Sequence, residues 1–400
     1  MSQLPASSEK TTQSALPRNV KVLGAVSLLN DIASEMIFPL LPAFLLTVLG
    51  GGRLSLGAIE GLADSTASLL KLFAGGWSDR AGRRRGFVLV GYGLAVFTRP
   101  LIGLIVAPWQ LAEIRTTDRI GKGIRTSPRD ALIADSTPPS LRGRAFGFHR
   151  AMDHLGAALG PLFAAGFLWL WPEHLRTLFL LTLIPGLLVL GLLLLGLRET
   201  PAKSQAPRRP PLTLAPFDRS FRLYLVALVV FTLGNSSDAF LLVRAGELGV
   251  PLAMLPLLWC AFHIAKSYGN LLMGRAVDRF GPRPFLLLGW VVYAVIYLAF
   301  ALASTAWEAC TFFLCYALFY ALTEPAEKTL VGILAGSERK GLAFGWFHFA
   351  IGISTLPASL LFGFLYERWG ALIAFGLGAG MALLAAAILM AVRPATNSPG

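Results

Sequence analysis

Residues 75–86 read GGWSDRAGRRRG and residues 273–284 read MGRAVDRFGPRP. Gly75, Asp79, Arg80, Gly82 and Arg84 align with Gly274, Asp278, Arg279, Gly281 and Arg283, and Arg83 extends the basic run of the first copy. A second pair follows at nearly the same offset: RGRAFGFHR at 142–150 and KGLAFGWFH at 340–348 share Gly-x-Ala-Phe-Gly. Two polar matches at nearly one spacing imply an internal repeat of half the chain length.

The material around these motifs is apolar. Hydrophobic residues make up 55% of the 400 residues and charged ones only 14%, with a mean hydropathy of +0.64; soluble domains carry roughly a quarter charged residues. Runs near the length of a membrane-spanning helix recur at about 22–49, 55–77, 86–107, 110–135, 143–171, 175–197, 222–243, 252–274, 284–303, 307–334, 341–368 and 370–392. The forty-one glycines suit close helix approach in lipid. The expected fold is all-α and polytopic: twelve transmembrane helices in two pseudo-symmetric six-helix bundles. The expected division is a tail at 1–20, a bundle at 21–197, a linker at 198–221, a second bundle at 222–393 and a tail at 394–400. Proline and basic residues dominate the linker, RETPAKSQAPRRPPLTLAPFDRSF.

The net charge of +13 sits in alternate loops, at Arg18 and Lys21, at Arg80 to Arg85, at Arg142 and Arg144, at Arg198 to Arg209, at Arg275 to Arg283, at Arg339 and Lys340, and at Arg393. The intervening loops hold scattered cations such as Arg53, Arg176, Arg244 and Arg368. This asymmetry predicts a plasma (inner) membrane protein with both termini and the linker in the cytoplasm. It reports topology, so no nucleic-acid partner is expected. The N-terminal segment shows no small-residue cleavage site, and no removable signal peptide is expected. Cys260, Cys310 and Cys315 fall inside apolar runs, so neither a disulfide framework nor a metal site is expected.

The Gly75–Arg84 pattern, G-x-x-x-D-R-x-G-R-R with its half-copy at Gly274–Arg283, resembles the loop between helices two and three of the major facilitator superfamily. The resemblance covers about residues 20–393. It implies that Gly75 permits helix contact, that Asp79 accepts bonds from the free N–H groups opening helix eleven near Gly341, and that the arginines anchor the cytoplasmic face. Three further stretches resemble the proton-coupled drug-antiporter branch. They are Gly147-x8-Gly156-x3-Gly160-Pro161 in helix five, with Ala164 and Ala165 at its usual closing glycine pair, Arg119-x2-Lys122-Gly123 in helix four, and Pro39-x2-Pro42 in helix one. A packing reading of the helix-five motif has its glycines bring helices five and eight together.

Residues 113–135, EIRTTDRIGKGIRTSPRDALIAD, concentrate charge within one expected span. At 100° per residue Arg115, Asp118, Arg119, Lys122, Arg125 and Arg129 occupy an arc of roughly 120°. Facing lipid, each charge would cost at least about 2.5 kcal/mol, so the stripe must meet water or partners. Partners are expected from Asn30, Asp31, Ser34 and Glu35 on helix one, Glu60, Asp64 and Lys71 on helix two, and His149, Arg150, Asp153 and His154 on helix five. The expected proton-coupling network is Asp31, Glu35, Asp64, Arg119, Lys122, Arg150 and Asp153, centred on Asp31, Glu35, Arg119 and Asp153. Withdrawing an arginine from a desolvated carboxylate would favour protonation and change which face can close. The competing reading is a set of static salt bridges. Arg125, Arg129, Asp130 and Asp135 are expected in salt bridges near Asp79 and Arg142.

In the second half Glu324 and Lys328 stand four apart and could pair. The expected cavity residues are Asn30, Ser34, Phe38, Asn235, Asp238, His263, Glu324 and Glu327, with Tyr268, Trp290, Tyr316, Tyr320 and Trp346 as candidate aromatic wall. No nucleophile elbow, P-loop or HExxH motif occurs, which argues against an enzyme and implies no cofactor. The expected function is a secondary transporter of a small molecule working by alternating access and coupled to protons, and the resemblance to the drug-antiporter branch implies export. Uptake of an anionic metabolite or metal chelate and a non-transporting sensor or scaffold are the alternatives. The resemblance implies a monomer in the bilayer.

Overall fold

A computed structural model of the chain describes residues 15–138, 141–200, 213–335 and 340–392. Within the described helices, the side chains of Leu72, Gly75, Gly76, Asp79, Arg80, Gly143, Lys340 and Gly341 lie outside the description. The expected cap from Asp79 onto the start of helix eleven therefore falls outside it, as does most of the proline-rich linker.

The described residues form twelve helical rods. The first half contains α1 (Arg18–Thr47), α2 (Arg53–Ala81), α3 (Arg85–Gly103), α4 (Pro108–Asp135), α5 (Arg142–Leu170) and α6 (Leu175–Gly196). The second contains α7 (Arg219–Glu247), α8 (Leu255–Phe280), α9 (Pro282–Leu302), α10 (Ala306–Ala335), α11 (340–369) and α12 (371–390). The last two are split by Gly370, whose φ of 81° only glycine tolerates cheaply. By length and composition α2, α4 and α8 fall outside the helices apolar enough to cross a membrane, since charged and polar residues lower their hydropathy. α1 breaks into a 3-10 turn at Phe38–Leu40, where Pro39 lacks a backbone donor.

Each half has its own interior. In the first, α1 packs on α5 and α6, α4 on α2 and α3, and α3 on α6. Gly156 and Gly160 make the α1–α5 approach possible: a Cβ on them would lie 2.5 Å from the Leu28 carbonyl and 2.6 Å from the Ile32 carbonyl. These glycines thus serve helix one, not helix eight as the packing reading had it, while Gly147 meets nothing nearby and Pro161 is absorbed within α5. In the second half, aromatic rings fill the interior of α7, α9, α10 and α12. Phe231 stacks on Trp290 at 4.9 Å and Tyr293 on Tyr297 at 4.0 Å. Their hydroxyls are satisfied by the Gly234 carbonyl and by Ser236.

The repeated loops are built alike. Gly82 (φ 60°) and Gly281 (φ 82°) each turn the chain in the left-handed region. Arg85 then reaches the Leu194 carbonyl at the end of α6, and Arg283 reaches the Met390 carbonyl at the end of α12. In the first half Arg84 also binds Asp135, and Glu199 accepts from the Arg84 and Arg85 amides at 3.0 Å each. Asp135 thus finds its salt bridge with Arg84. Asp278 and Arg279 are exposed, and Gly274 meets nothing within 4 Å.

The halves meet along two seams, α2 against α11 and α5 against α8. The α2–α11 seam is a glycine zipper in which Gly57 faces the Ser359 carbonyl, Gly61 faces Leu356, and Gly363 faces the Arg53 carbonyl. On α5–α8, the Cys260 thiol donates to the Ala158 carbonyl at 3.4 Å.

Candidate functional site

At mid-depth between the halves lies a cavity of about 380 Å³, within the range that accommodates small molecules. α2 contributes Asp64, Ser68 and Lys71, and α4 contributes Arg119 and Lys122. α7 contributes Phe231, Thr232, Asn235, Ser236, Ser237 and Asp238. α10 contributes Phe319, Tyr320, Thr323, Glu324 and Glu327, α11 contributes Ile351, Thr355 and Ser359, and Phe38 enters from the α1 break.

The helix-four stripe divides. Arg119 and Lys122 face the cavity, whereas Arg115, Asp118 and Arg125 turn into the first bundle and are buried. Arg119 Nε lies 3.3 Å from Asp64 Oδ1, an ion pair by distance without hydrogen-bond alignment. Behind it, Arg115 forks onto Glu60 through Nε (3.0 Å) and a terminal nitrogen (2.7 Å), and both side chains are nearly inaccessible. Asp118 binds Arg99 of α3 at 2.9 Å, and Arg99 also donates to Asn30 at 3.0 Å. Arg125 donates to the Gly91 carbonyl and lies over the Tyr92 ring, while Arg129 contacts its neighbour Asp130.

The expected centre of Asp31, Glu35, Arg119 and Asp153 does not assemble as one hydrogen-bonded unit. Asp31 accepts from Asn30 at 2.9 Å. Asp153 is held by Ser27, with His149 at 3.5 Å and the exposed Arg150 at 3.7 Å. Glu35 accepts from Trp259 Nε1 across the α1–α8 boundary at 2.8 Å, beside Phe38, whose ring lies tilted against the same indole at 4.9 Å. None of Asp31, Glu35, Arg150 and Asp153 lines the cavity. Asn30 is buried on Arg99, Ser34 faces a small void beside Arg99 and Arg115, and His263 packs edge-on against Trp259.

On the second-half wall, Asp238 accepts from Tyr316 at 3.0 Å and from Tyr320 at 2.9 and 3.1 Å. Glu324 pairs with Lys266 at 2.8 Å and accepts from Asn270, so its partner is on α8 and not Lys328 one turn along its own helix. The Lys266 ammonium also rests 3.7 Å from the centre of the Tyr320 ring. Glu327 has no ionic or hydrogen-bonding partner among the described residues. Of the other aromatic candidates, Tyr268 points outward, Trp290 is buried in the second-half core, and Trp346 donates to Thr213.

The end of the molecule away from the chain termini is latched. Arg53 of α2 binds Glu247 of α7, Tyr366 of α11 donates to Glu247 at 2.6 Å, and Glu367 accepts from the Leu54 amide at 2.8 Å. Arg53 and Arg244, scattered cations in the sequence, both belong to this cluster. Sequence reasoning also missed Arg99 as the partner of Asp118, and the wall residues Thr232, Ser237 and Thr323. Only a three-dimensional register reveals them, since single hydroxyls and a lone arginine carry no periodic signal.

A family model described as Major Facilitator Superfamily matches residues 23–260 and 223–400. Over 362 residues the chain is 32% identical to an uncharacterized MFS-type transporter of Methanocaldococcus jannaschii, spanning 88% of this chain and 89% of that one. It is 25% identical over 382 residues to the multidrug resistance protein MdtG of Salmonella arizonae, spanning 92% and 93%. A crystal structure of an aspartate-to-alanine mutant of the nucleoside transporter NupG superposes with a TM-score of 0.80 at 12% identity, covering 94% of this chain and 99% of that one, which shows a shared fold.

Proposed function

The chain belongs to the Major Facilitator Superfamily and is a multi-pass membrane transporter, and from that premise we propose that it exports a small molecule by proton-coupled alternating access. The observation that carries this reading is the mid-depth cavity, where ionisable side chains from both halves face one space that neither half encloses alone. A charge inside a membrane is retained against a cost of several kcal/mol, and such groups mark transport pathways. The termini and linker face the cytoplasm of an inner membrane, in keeping with the basic loops. The latch at Arg53, Glu247 and Tyr366 then closes the external side, while substrate enters from within. Coupling runs through Asp64 and Arg119: the carboxylate is 44% exposed to the cavity and lies at ion-pair distance from the guanidinium. A substrate group that draws Arg119 away leaves Asp64 to take a proton. The similarity to MdtG over most of both chains supports the lean toward export.

A second reading, uptake of an anion, draws on Lys71, Arg119 and Lys122 on one wall. Proteoliposomes with an imposed pH gradient separate the two. Under the export reading, adding a panel of candidate compounds releases protons against the substrate movement in the wild type. Asp64→Asn and Arg119→Ala then lose at least about tenfold of that flux, the scale of one lost ion pair at roughly 1.4 kcal/mol. Anion entry indifferent to the gradient would favour uptake, and loss of coupling in neither variant would remove Asp64 and Arg119 from the mechanism.

A further inference from the structure

The cavity is polarised. Its α2–α4 wall presents three cations, Lys71, Arg119 and Lys122, against the single carboxylate of Asp64. Its α7–α10 wall presents Asp238, Glu324 and Glu327, with no lining cation. The protein does not cancel this polarity internally. Among the described residues Lys71, Lys122 and Glu327 have no ion-pair partner, although all three line the same space. Glu324 is neutralised from behind by Lys266, and Asp238 is held by two tyrosine hydroxyls, which leaves Glu327 as the uncompensated acid. Unpaired ionic groups in a low-dielectric space demand a counter-charge. The two walls demand opposite ones.

Resting on the transport reading of this site, we infer that the substrate is a small zwitterion. Its anionic group lies against Lys71 and Lys122, and its cationic amine against Glu327, with Phe231 and Phe319 flanking an apolar body. A mono-anion would leave Glu327 unmatched, and a mono-cation would crowd Lys71 and Lys122; a neutral molecule would answer neither wall. The cavity volume, toward the lower end of the range that holds small-molecule ligands, admits one small zwitterion and not an extended peptide chain. Because the charges sit on different halves, one bound zwitterion bridges them and draws the walls together, which a singly charged ligand does not do.

The test uses the full-length protein in lipid nanodiscs and isothermal titration with 4-aminobutyrate, 6-aminohexanoate, phenylalanine and 2-aminoethylphosphonate. Each is compared with its N-acetyl and its ester form. At least one free zwitterion should bind, and blocking either end should weaken it at least about tenfold, the loss of one charge-assisted contact. Glu327→Gln should abolish the penalty for N-acetylation while leaving that for esterification, and Lys122→Met should do the reverse. Lys71→Met serves where Lys122→Met fails to give monodisperse protein. Blocked forms that bind within about threefold of the zwitterion, or silence across the panel, would overturn the inference. Transport is scored separately in proteoliposomes: zwitterion binding without flux would leave this inference and remove the transport reading, whereas flux of a neutral or singly charged compound would do the opposite.

Discussion

Glu60→Ala should destabilise the detergent-purified protein by about 3–5 kcal/mol, the loss seen when one partner of a buried ion pair is removed. Glu60 and Arg115 expose 2% and 6% of their side chains, and the guanidinium forks onto both carboxylate oxygens. With Glu60 gone, Arg115 loses its forked hydrogen bonds and is left with the Phe38 ring, centred 5.5 Å away, and the more distant charges of Asp118 and Asp64. Arg115→Leu alone should cost a similar amount by stranding the carboxylate. The double variant Glu60→Leu/Arg115→Met should recover most of the loss, since a buried pair repays little more than its own desolvation. Asp64→Asn, one helical turn nearer the terminal end on α2, is the internal control. Its carboxylate is 44% exposed, so the expected loss is at most about 1 kcal/mol. Chemical unfolding followed by tryptophan fluorescence reads all four. If the double variant is as unstable as either single one, the pair specifies packing in some way other than mutual charge compensation.

That contrast also marks what the sequence could and could not convey. Twelve rods and the repeated loops were legible because each rests on local chemistry: apolar run length, and a short polar turn that recurs at nearly one spacing. The charged face of helix four was legible too, as a periodicity. Its division into two groups was not. Arg115 and Arg119 differ by one turn and both meet α2, yet one is buried on Glu60 and the other lines the cavity beside Asp64, a difference in burial along one face that periodicity does not encode. Asp118 needed Arg99, which sits at the end of α3 in a run that reads as apolar. The two halves repeat in sequence motif but differ in interior chemistry, ion pairs in the first and stacked aromatic rings in the second. A repeat fixes topology while leaving each interior free to diverge, and so the cavity between them inherits walls of opposite charge.

Gly57→Val should open the external side of the molecule. A Cβ at this position would lie 2.1 Å from the Ser359 carbonyl oxygen and 2.9 Å from its carbon, both backbone atoms that no rotamer change can move. The helices must separate, and with them the Arg53–Glu247 and Leu54–Glu367 contacts that latch their ends. Overpacking of this kind costs about 1–3 kcal/mol, charged only against the state in which α2 and α11 touch. The equilibrium therefore moves by roughly ten- to hundredfold toward the parted state. A native reporter is available. Cys260 is buried at the α5–α8 seam against Ala158, while Cys310 is half-buried and Cys315 exposed. On a Cys310→Ser/Cys315→Ser background only Cys260 remains for a water-soluble maleimide applied from outside. Its labelling rate should rise at least about tenfold in Gly57→Val, while Gly147→Val, where a Cβ would meet nothing within 4 Å, should leave it unchanged. A monodisperse Gly57→Val protein whose Cys260 stays protected would mean that the glycine zipper is ordinary packing, and that the halves rock about some other line.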